Sequence, residues 1–420
     1  MSLRRDLIKV GYVAAIVMWG LLSYLTLFDY LREGQLFARS IDKRPYINDF
    51  VNTYSAAHLT IRAFREHIDV YDPKIQDEAV RKLIAPVVPE NPFYFQYPPQ
   101  YFLLTLPLAL FSMPVAWVLW NVVFLGASVY GMWIVIRDWR RQQAWAAIGL
   151  ALASFPFWMS VQLGQTSLIL FPLTIGFFEL VRRRKFAWAG IVTGFISVKL
   201  QYLPIFGIIG LIAGGWPFVW GAAATLAALF AATAAVLGID NILRFPQALA
   251  TGETGHLFTG VNPFVMQNFR GELWLLLHGE GAVSHYICAA VFAIGVLAIG
   301  WLWWRQSSGL SPAGTNSFNQ LASQSILIAL ITSVHTHTQD YVLASLPCLW
   351  LWQMLNNRQP KKEGVIRFIE ASPAFSWVSL PIIQGLFALI LIQPLFVWAV
   401  AFLALIITPQ QQHPDSGSGD

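Results

Sequence analysis

Lys199 lies between Val198 and Leu200 inside a long apolar stretch. An ionisable group at that depth in hydrocarbon is expensive, so it faces a partner or a polar cavity. Other polar side chains gather at the ends of apolar segments. Gln162, Gly164 and Gln165 follow one, Lys199 and Gln201 divide two more, and His335, His337 and Asp340 follow another. The 238–283 segment adds His256 and the run Gln267-Asn268-Phe269-Arg270-Gly271. Asp49 precedes a stretch in which Phe50, Tyr54, Ala57, Ile61 and Phe64 recur at helical spacing. Asn48 or Asp49 is a natural N-cap for that helix, and a carboxylate not used as a cap is available to take a proton. His335 and His337, two residues apart, are a weak spacing for metal ligands, and no metal or other cofactor is expected.

The elements that position these groups belong to a membrane protein. The chain has 420 residues, 56% hydrophobic and only 12% charged, with a mean hydropathy of +0.55. A soluble domain carries about 25% charged residues. The 18 tryptophans suit aromatic belts at membrane–water interfaces. Cys288 and Cys348 both lie in apolar runs, so a disulfide framework is not expected. The apolar stretch from Gly11 to Phe28 is too long for a signal-peptide core and no cleavage pattern closes it, so it reads as an uncleaved first helix.

Charge sets the topology. Arg4, Arg5 and Lys9, then Arg137, Arg140 and Arg141, then Arg182 to Lys185, then Arg358, Lys361, Lys362 and Arg367 mark cytoplasmic ends. Spans at 10–28, 114–136, 144–160, 166–181, 186–198, 201–214, 217–237, 284–304, 319–334, 340–355, 374–392 and 395–408 satisfy that parity. The expected fold is therefore an all-α membrane protein of about 12 transmembrane helices. It forms one polytopic domain over 1–408, with outer loops at 29–113 and 238–283 and a disordered tail at 409–420. Both termini fall in the cytoplasm. Most acidic residues, and every histidine except His413, fall outside, so chemistry belongs to the outer face. Residues 98–113 are apolar but short and contain Pro107, which predicts a re-entrant or interfacial helix. The 50–64 aromatic stripe is expected to contact lipid.

These features together resemble the C-type glycosyltransferase superfamily, and within it family 87. The likeness is carried by Asn48-Asp49-Phe50 in a large first outer loop, Tyr54-Ser55-Ala56-Ala57, Val70-Tyr71-Asp72, the Phe-x-Tyr-Pro-Pro stretch Phe95 to Pro99, and Pro107 to Ala109. Gly164-Gln165, Lys199 and the late His335/Asp340 cluster continue it, so that it runs across most of residues 45–350. Either His335 or His337 fills the histidine position.

The resemblance implies a fold with juxtamembrane helices in the first loop, in the plasma (inner) membrane. It also implies an inverting enzyme that moves a sugar (mannose or a related hexose or pentose) from a polyprenyl-phosphate carrier to a hydroxyl of a glycolipid or glycan acceptor. Asp49 would be the base. Lys199, Arg270 and His335 would hold the leaving phosphate, and Tyr97, Gln165 and Asn268 would contact sugar or phosphate. His337, Asp340 and His256 are further candidates. The partners would be the lipid-linked donor, the acceptor and membrane lipids, with no nucleic acid. A lipid or sugar transporter or flippase is the alternative, but such proteins show internal repeats, and none is visible between the halves.

Overall fold

The computed structural model describes residues 37–39, 45–47, 49–85, 94–253, 266–278, 281–307, 315–356 and 393–407. The expected spans 10–28 and 374–392, His256 and the 409–420 tail lie outside the described residues.

A short antiparallel ribbon, β1 (Phe37–Arg39) and β2 (Pro45–Ile47), pairs Phe37 with Ile47 just before Asp49. Helix α1 (Phe50–Glu66) follows and ends at His67 in the left-handed conformation, φ 54°. The Val70-Tyr71-Asp72 turn then starts α2 (Pro73–Ile84), where Asp72 caps the helix by accepting from Lys74 N at 2.8 Å, with proline at the first turn. Tyr71 Oη donates to Tyr97 O at 2.8 Å, and Gln76 spans Val70 O and the Phe95 backbone. The tyrosine–aspartate turn and the Phe-x-Tyr-Pro-Pro stretch thus fasten each other. α3 (Pro99–Thr105) runs into a 3₁₀ turn (Leu106–Leu110), a short apolar element within the 98–113 stretch.

The remaining helices form the bundle. They are α4 (Met113–Ile136), α5 (Arg141–Leu152), α6 (Phe155–Gln162), α7 (Ser167–Arg182), α8 (Phe186–Ile196), α9 (Leu203–Leu237), α10 (Ile239–Glu253), α11 (Phe269–Leu277), α12 (Ala282–Ser307), α13 (Thr315–Thr332), α14 (Ser345–Asn356) and α15 (Pro394–Ile407). By length and composition α4, the 200–237 segment and α12 can cross a membrane, and α5 with α6, bent by 62°, makes a fourth candidate. Trp188, Trp216, Trp220, Tyr286, Leu297 and Trp304 stay exposed, an apolar surface suited to lipid.

α9 is not one straight rod. Gly215 takes φ 57° and ψ −141°, Pro217 follows, and the chain turns back. Gly210 lies against the Phe218 ring, which a continuous helix rising 1.5 Å per residue would hold roughly 12 Å away. Two legs, 203–214 and 217–237, result, as the sequence division at 214–217 requires. The second leg runs parallel to α8. Gly190 meets the backbone around Phe218, Gly221 meets Ala187 O, and a Cβ on Gly194 would lie 2.6 Å from Thr225. Small residues let these helices approach backbone to backbone.

Two cores result. One, around Phe177, Phe178, Phe206, Trp303 and Trp350, fills the bundle. The other, around Phe50, Tyr71, Tyr101, Phe102, Trp117 and Trp120, joins the first loop to the ends of the bundle helices. Here one expectation is corrected. Phe50, Tyr54 and Ala57 are buried inside this second core, with only Phe64 widely exposed, because α3, α4 and the turn after α6 cover the N-terminal half of α1. The stripe is packing surface for the protein, not a lipid anchor.

Substituting Gly190 by valine should overpack the α8–α9 contact and cost about 1–3 kcal/mol. Gly176→Ala, on α7 with open space around it, should be neutral or stabilising by up to about 1 kcal/mol. Thermal unfolding of both variants in detergent checks the contrast, and equal midpoints would contradict the close approach.

Candidate active site

Asp49 occupies the N-cap position of α1, yet its side chain caps nothing. Instead Gln165 Nε2 donates to Asp49 Oδ2, across 116 residues of sequence. Gln165 reaches this place because α6 ends in a tight turn. Gly164 takes φ +58°, and a Cβ there would come within 2.5 Å of Phe50 Cδ2. A side chain at 164 would therefore both strain the backbone and push Phe50, the neighbour of Asp49. Burial pushes the Asp49 carboxyl up to about 6, with the Gln165 hydrogen bond opposing it. The Tyr97 hydroxyl is raised as well, first by burial and then by the Asp49 charge. Its ring packs on Tyr101, centroids 4.2 Å apart, and Tyr101 Oη pairs with Thr53 Oγ1 at 2.9 Å.

Two residues beyond Gln165, Ser167 opens α7 and leads to the second half of the cluster. Ser167 Oγ donates to Asp340 Oδ1 at 2.6 Å, and Lys199 Nζ donates to the same carboxylate oxygen and, at 3.1 Å, to Ser167 Oγ. Asp340 is 1% exposed and Lys199 12%. The other carboxylate oxygen accepts from His337 N at 3.1 Å, in a capping arrangement that starts the 3₁₀ helix Thr338–Ala344. So Lys199, found where sequence depth demanded a partner, has an acidic one within the chain.

The loop before Asp340 is braced from three sides. Gln201 Nε2 donates to His335 O at 2.9 Å, Arg270 Nη1 to Val334 O at 3.2 Å, and Gln267 N to Thr336 O at 2.9 Å. Asn268 is fully buried. Its Oδ1 accepts from Gly271 N at 2.9 Å, capping α11, and its Nδ2 donates to Ser333 O at 2.6 Å. The His335 and His337 rings lie 4.4 Å apart. Burial, reinforced by His335 and by the positive charges of Lys199 and Arg270, pulls His337 down to about 3 despite Asp340. It is therefore neutral at physiological pH, so it offers a ring nitrogen rather than a charge.

The structure thus brings together Asp49, Gln165 and Tyr97 on one side of the 164–167 turn, and Lys199, Asp340, Arg270, His335, His337 and Asn268 on the other. Sequence reading missed Ser167, the joint of the two halves. Its hydroxyl at the start of an apolar helix looks like any helix-opening serine.

These helices define an apolar helical protein in which carboxylate, ammonium, guanidinium and imidazole side chains gather around the 164–167 turn. A family model for glycosyltransferase family 87 matches residues 95–333, more than half of the 420-residue chain, and the chain belongs to that family. It is accordingly an enzyme that transfers a sugar. No curated protein and no solved structure matches the chain. Lys199, Arg270, Asn268, Gln165 and Tyr97 lie inside the matched span, whereas Asp49, His335, His337 and Asp340 flank it.

Breaking the Lys199–Asp340 pair by Asp340→Asn should strand a largely buried ammonium and cost about 3–5 kcal/mol. The double variant Lys199→Met/Asp340→Leu should lose less than the sum of the two single changes. A double-mutant cycle on thermal stability measures that coupling, and strict additivity would show that the two charges do not depend on each other.

Proposed function

We propose that this enzyme moves a sugar, mannose or a related hexose or pentose, from a polyprenyl-phosphate donor to a hydroxyl of a glycolipid or glycan, with inversion. The observation that carries the proposal is Asp49. A carboxylate at the cap position forgoes capping, is held by Gln165, and sits near pKa 6, where a general base works best close to neutral pH.

In the reaction the acceptor oxygen attacks the anomeric carbon and its proton passes to Asp49. The bond from that carbon to the phosphate oxygen breaks, and polyprenyl phosphate leaves with the electron pair. Developing charge on the phosphate needs preorganised donors. Arg270 supplies a cation close to the His335–His337 loop. Lys199 has three N–H donors, of which Asp340 and Ser167 take two, so one remains for a phosphate oxygen. Tyr97 lines the sugar side beside Asp49. Gln165 acts first on the base, although it stays within reach of the sugar. Asn268 supports the site through the Ser333 backbone.

The reading of the chain as about 12 spans in the plasma membrane, with both termini cytoplasmic, is part of the proposal. Arg182 to Lys185 end α7 at the pole opposite Ser167, so the basic turn and the acidic cluster occupy opposite ends of one helix. The positive-inside rule then puts the cluster on the outer face.

Asp49→Asn should lower transfer from a radiolabelled polyprenyl-phosphate sugar in membranes by about 10²–10⁴-fold. Wild-type kcat/KM should fall about tenfold per pH unit below pH 6, as the base is protonated. Because the Gln165 hydrogen bond holds the carboxyl down, Gln165→Met should move that acidic limb to higher pH. Undiminished transfer by Asp49→Asn would remove the base and with it the mechanism.

A further inference from the structure

The first turns of α1 are packed on nearly every side. From Asp49 to Ala57 every residue is buried except Asp49 and Asn52, which keep partial access. Residues three apart are neighbours on a helix surface, so the two partly accessible residues lie side by side. Several polar groups around them are paired within the fold, whereas Ser55 Oγ, His58 Nε2 and Trp120 Nε1 are buried without a hydrogen-bond partner. Asp49 holds Gln165, Thr53 holds Tyr101, and Tyr54 Oη donates to Phe111 O at 2.8 Å. Asn52 differs. Its backbone N–H donates to Asp49 O at 3.0 Å, but its side-chain Oδ1 is buried without a hydrogen-bond partner. Ser55 Oγ, one turn further on, is also unpartnered, but that residue is sealed from solvent at 0% exposure.

A buried acceptor without a donor is costly, and a bound hydroxyl is one group that can complete it. The side-chain amide of asparagine offers an acceptor and two donors without charge, which matches a hydroxyl, itself donor and acceptor. We propose that Asn52 binds a hydroxyl of the acceptor adjacent to the one that Asp49 deprotonates. The enzyme thereby selects a polyhydroxylated acceptor, a sugar, over a simple alcohol. This rests on the reading of Asp49 as the base. A site built to hydrogen-bond a hydroxyl discriminates strongly against an analogue lacking it, because the site's polar atom is then left unpaired.

The test uses the purified enzyme in detergent, polyprenyl-phosphate [14C]mannose as donor, and n-octyl α-D-mannoside with its set of monodeoxy analogues as acceptors. Wild type should disfavour at least one monodeoxy analogue by about tenfold or more in kcat/KM. Asn52→Ala should raise KM for octyl mannoside about tenfold, leave the donor KM unchanged and abolish that preference. Its thermal midpoint should be unchanged or higher, since Oδ1 gives up no intramolecular bond. An Asn52→Ala enzyme with wild-type acceptor KM and wild-type discrimination would overturn the assignment. So would a lowered midpoint with kcat reduced equally for every acceptor, the mark of a scaffold residue. Transfer retained by Asp49→Asn, with Asn52→Ala behaving as expected, would instead remove the base and leave the Asn52 contact standing.

Discussion

A largely buried ammonium held by a buried carboxylate is the constraint around which the polar end of this protein is arranged. Lys199 and Asp340 are 141 residues apart in sequence. Neither charge is tolerable alone in an apolar bundle, and a pair is tolerable only when the remaining donors and acceptors are also satisfied. Asp340 meets that condition by accepting from Lys199, Ser167 and the His337 backbone at once. Three chain segments are thereby drawn to one point: the start of α7, the junction of α8 with α9, and the loop after α13. The pair's contribution lies in fixing where these segments meet more than in net stability.

From that point the geometry is passed on by short, stiff connections. Ser167 is two residues from Gln165, and the intervening turn is pinned by Gly164 against Phe50, so the position of Asp49 follows from the position of the ion pair. On the far side, Asn268 holds the Ser333 carbonyl and Gln201 and Gln267 hold those of His335 and Thr336, in the loop where the His335 and His337 rings lie 4.4 Å apart. A sugar-transferring site needs a base on one side of the reacting carbon and anion-binding donors on the other, at fixed separation. A four-residue turn shared by both halves is a direct way to set it.

Much of the layout was legible in the sequence because bilayer physics is strict. Long apolar runs and the positions of Arg137–Arg141 and Arg182–Lys185 marked the bundle helices, and the break at Gly215-Trp216-Pro217 was readable as a reversal. Depth alone singled out Lys199 as needing a partner, though no spacing rule could choose Asp340 over the other acids, since the pairing crosses most of the fold. Asp49 was visible as a helix-start carboxylate, but whether such a group caps or reaches outward is decided by what lies opposite, here Gln165. The aromatic stripe of α1 was misread as a lipid anchor because periodicity reports an apolar face without saying what covers it. Ser167 and Asn52 carried no signal of their own, because their significance lies in contacts and in what remains uncovered.

The most direct test of the account is a cryo-EM structure of the enzyme with a non-transferable polyprenyl-phosphonate sugar. The phosphonate is predicted on the Lys199 and Arg270 side of the 164–167 turn, with the anomeric carbon facing the carboxylate of Asp49. A headgroup bound elsewhere, or one whose anomeric carbon lies too far from Asp49 for a single acceptor hydroxyl to touch both, would contradict it.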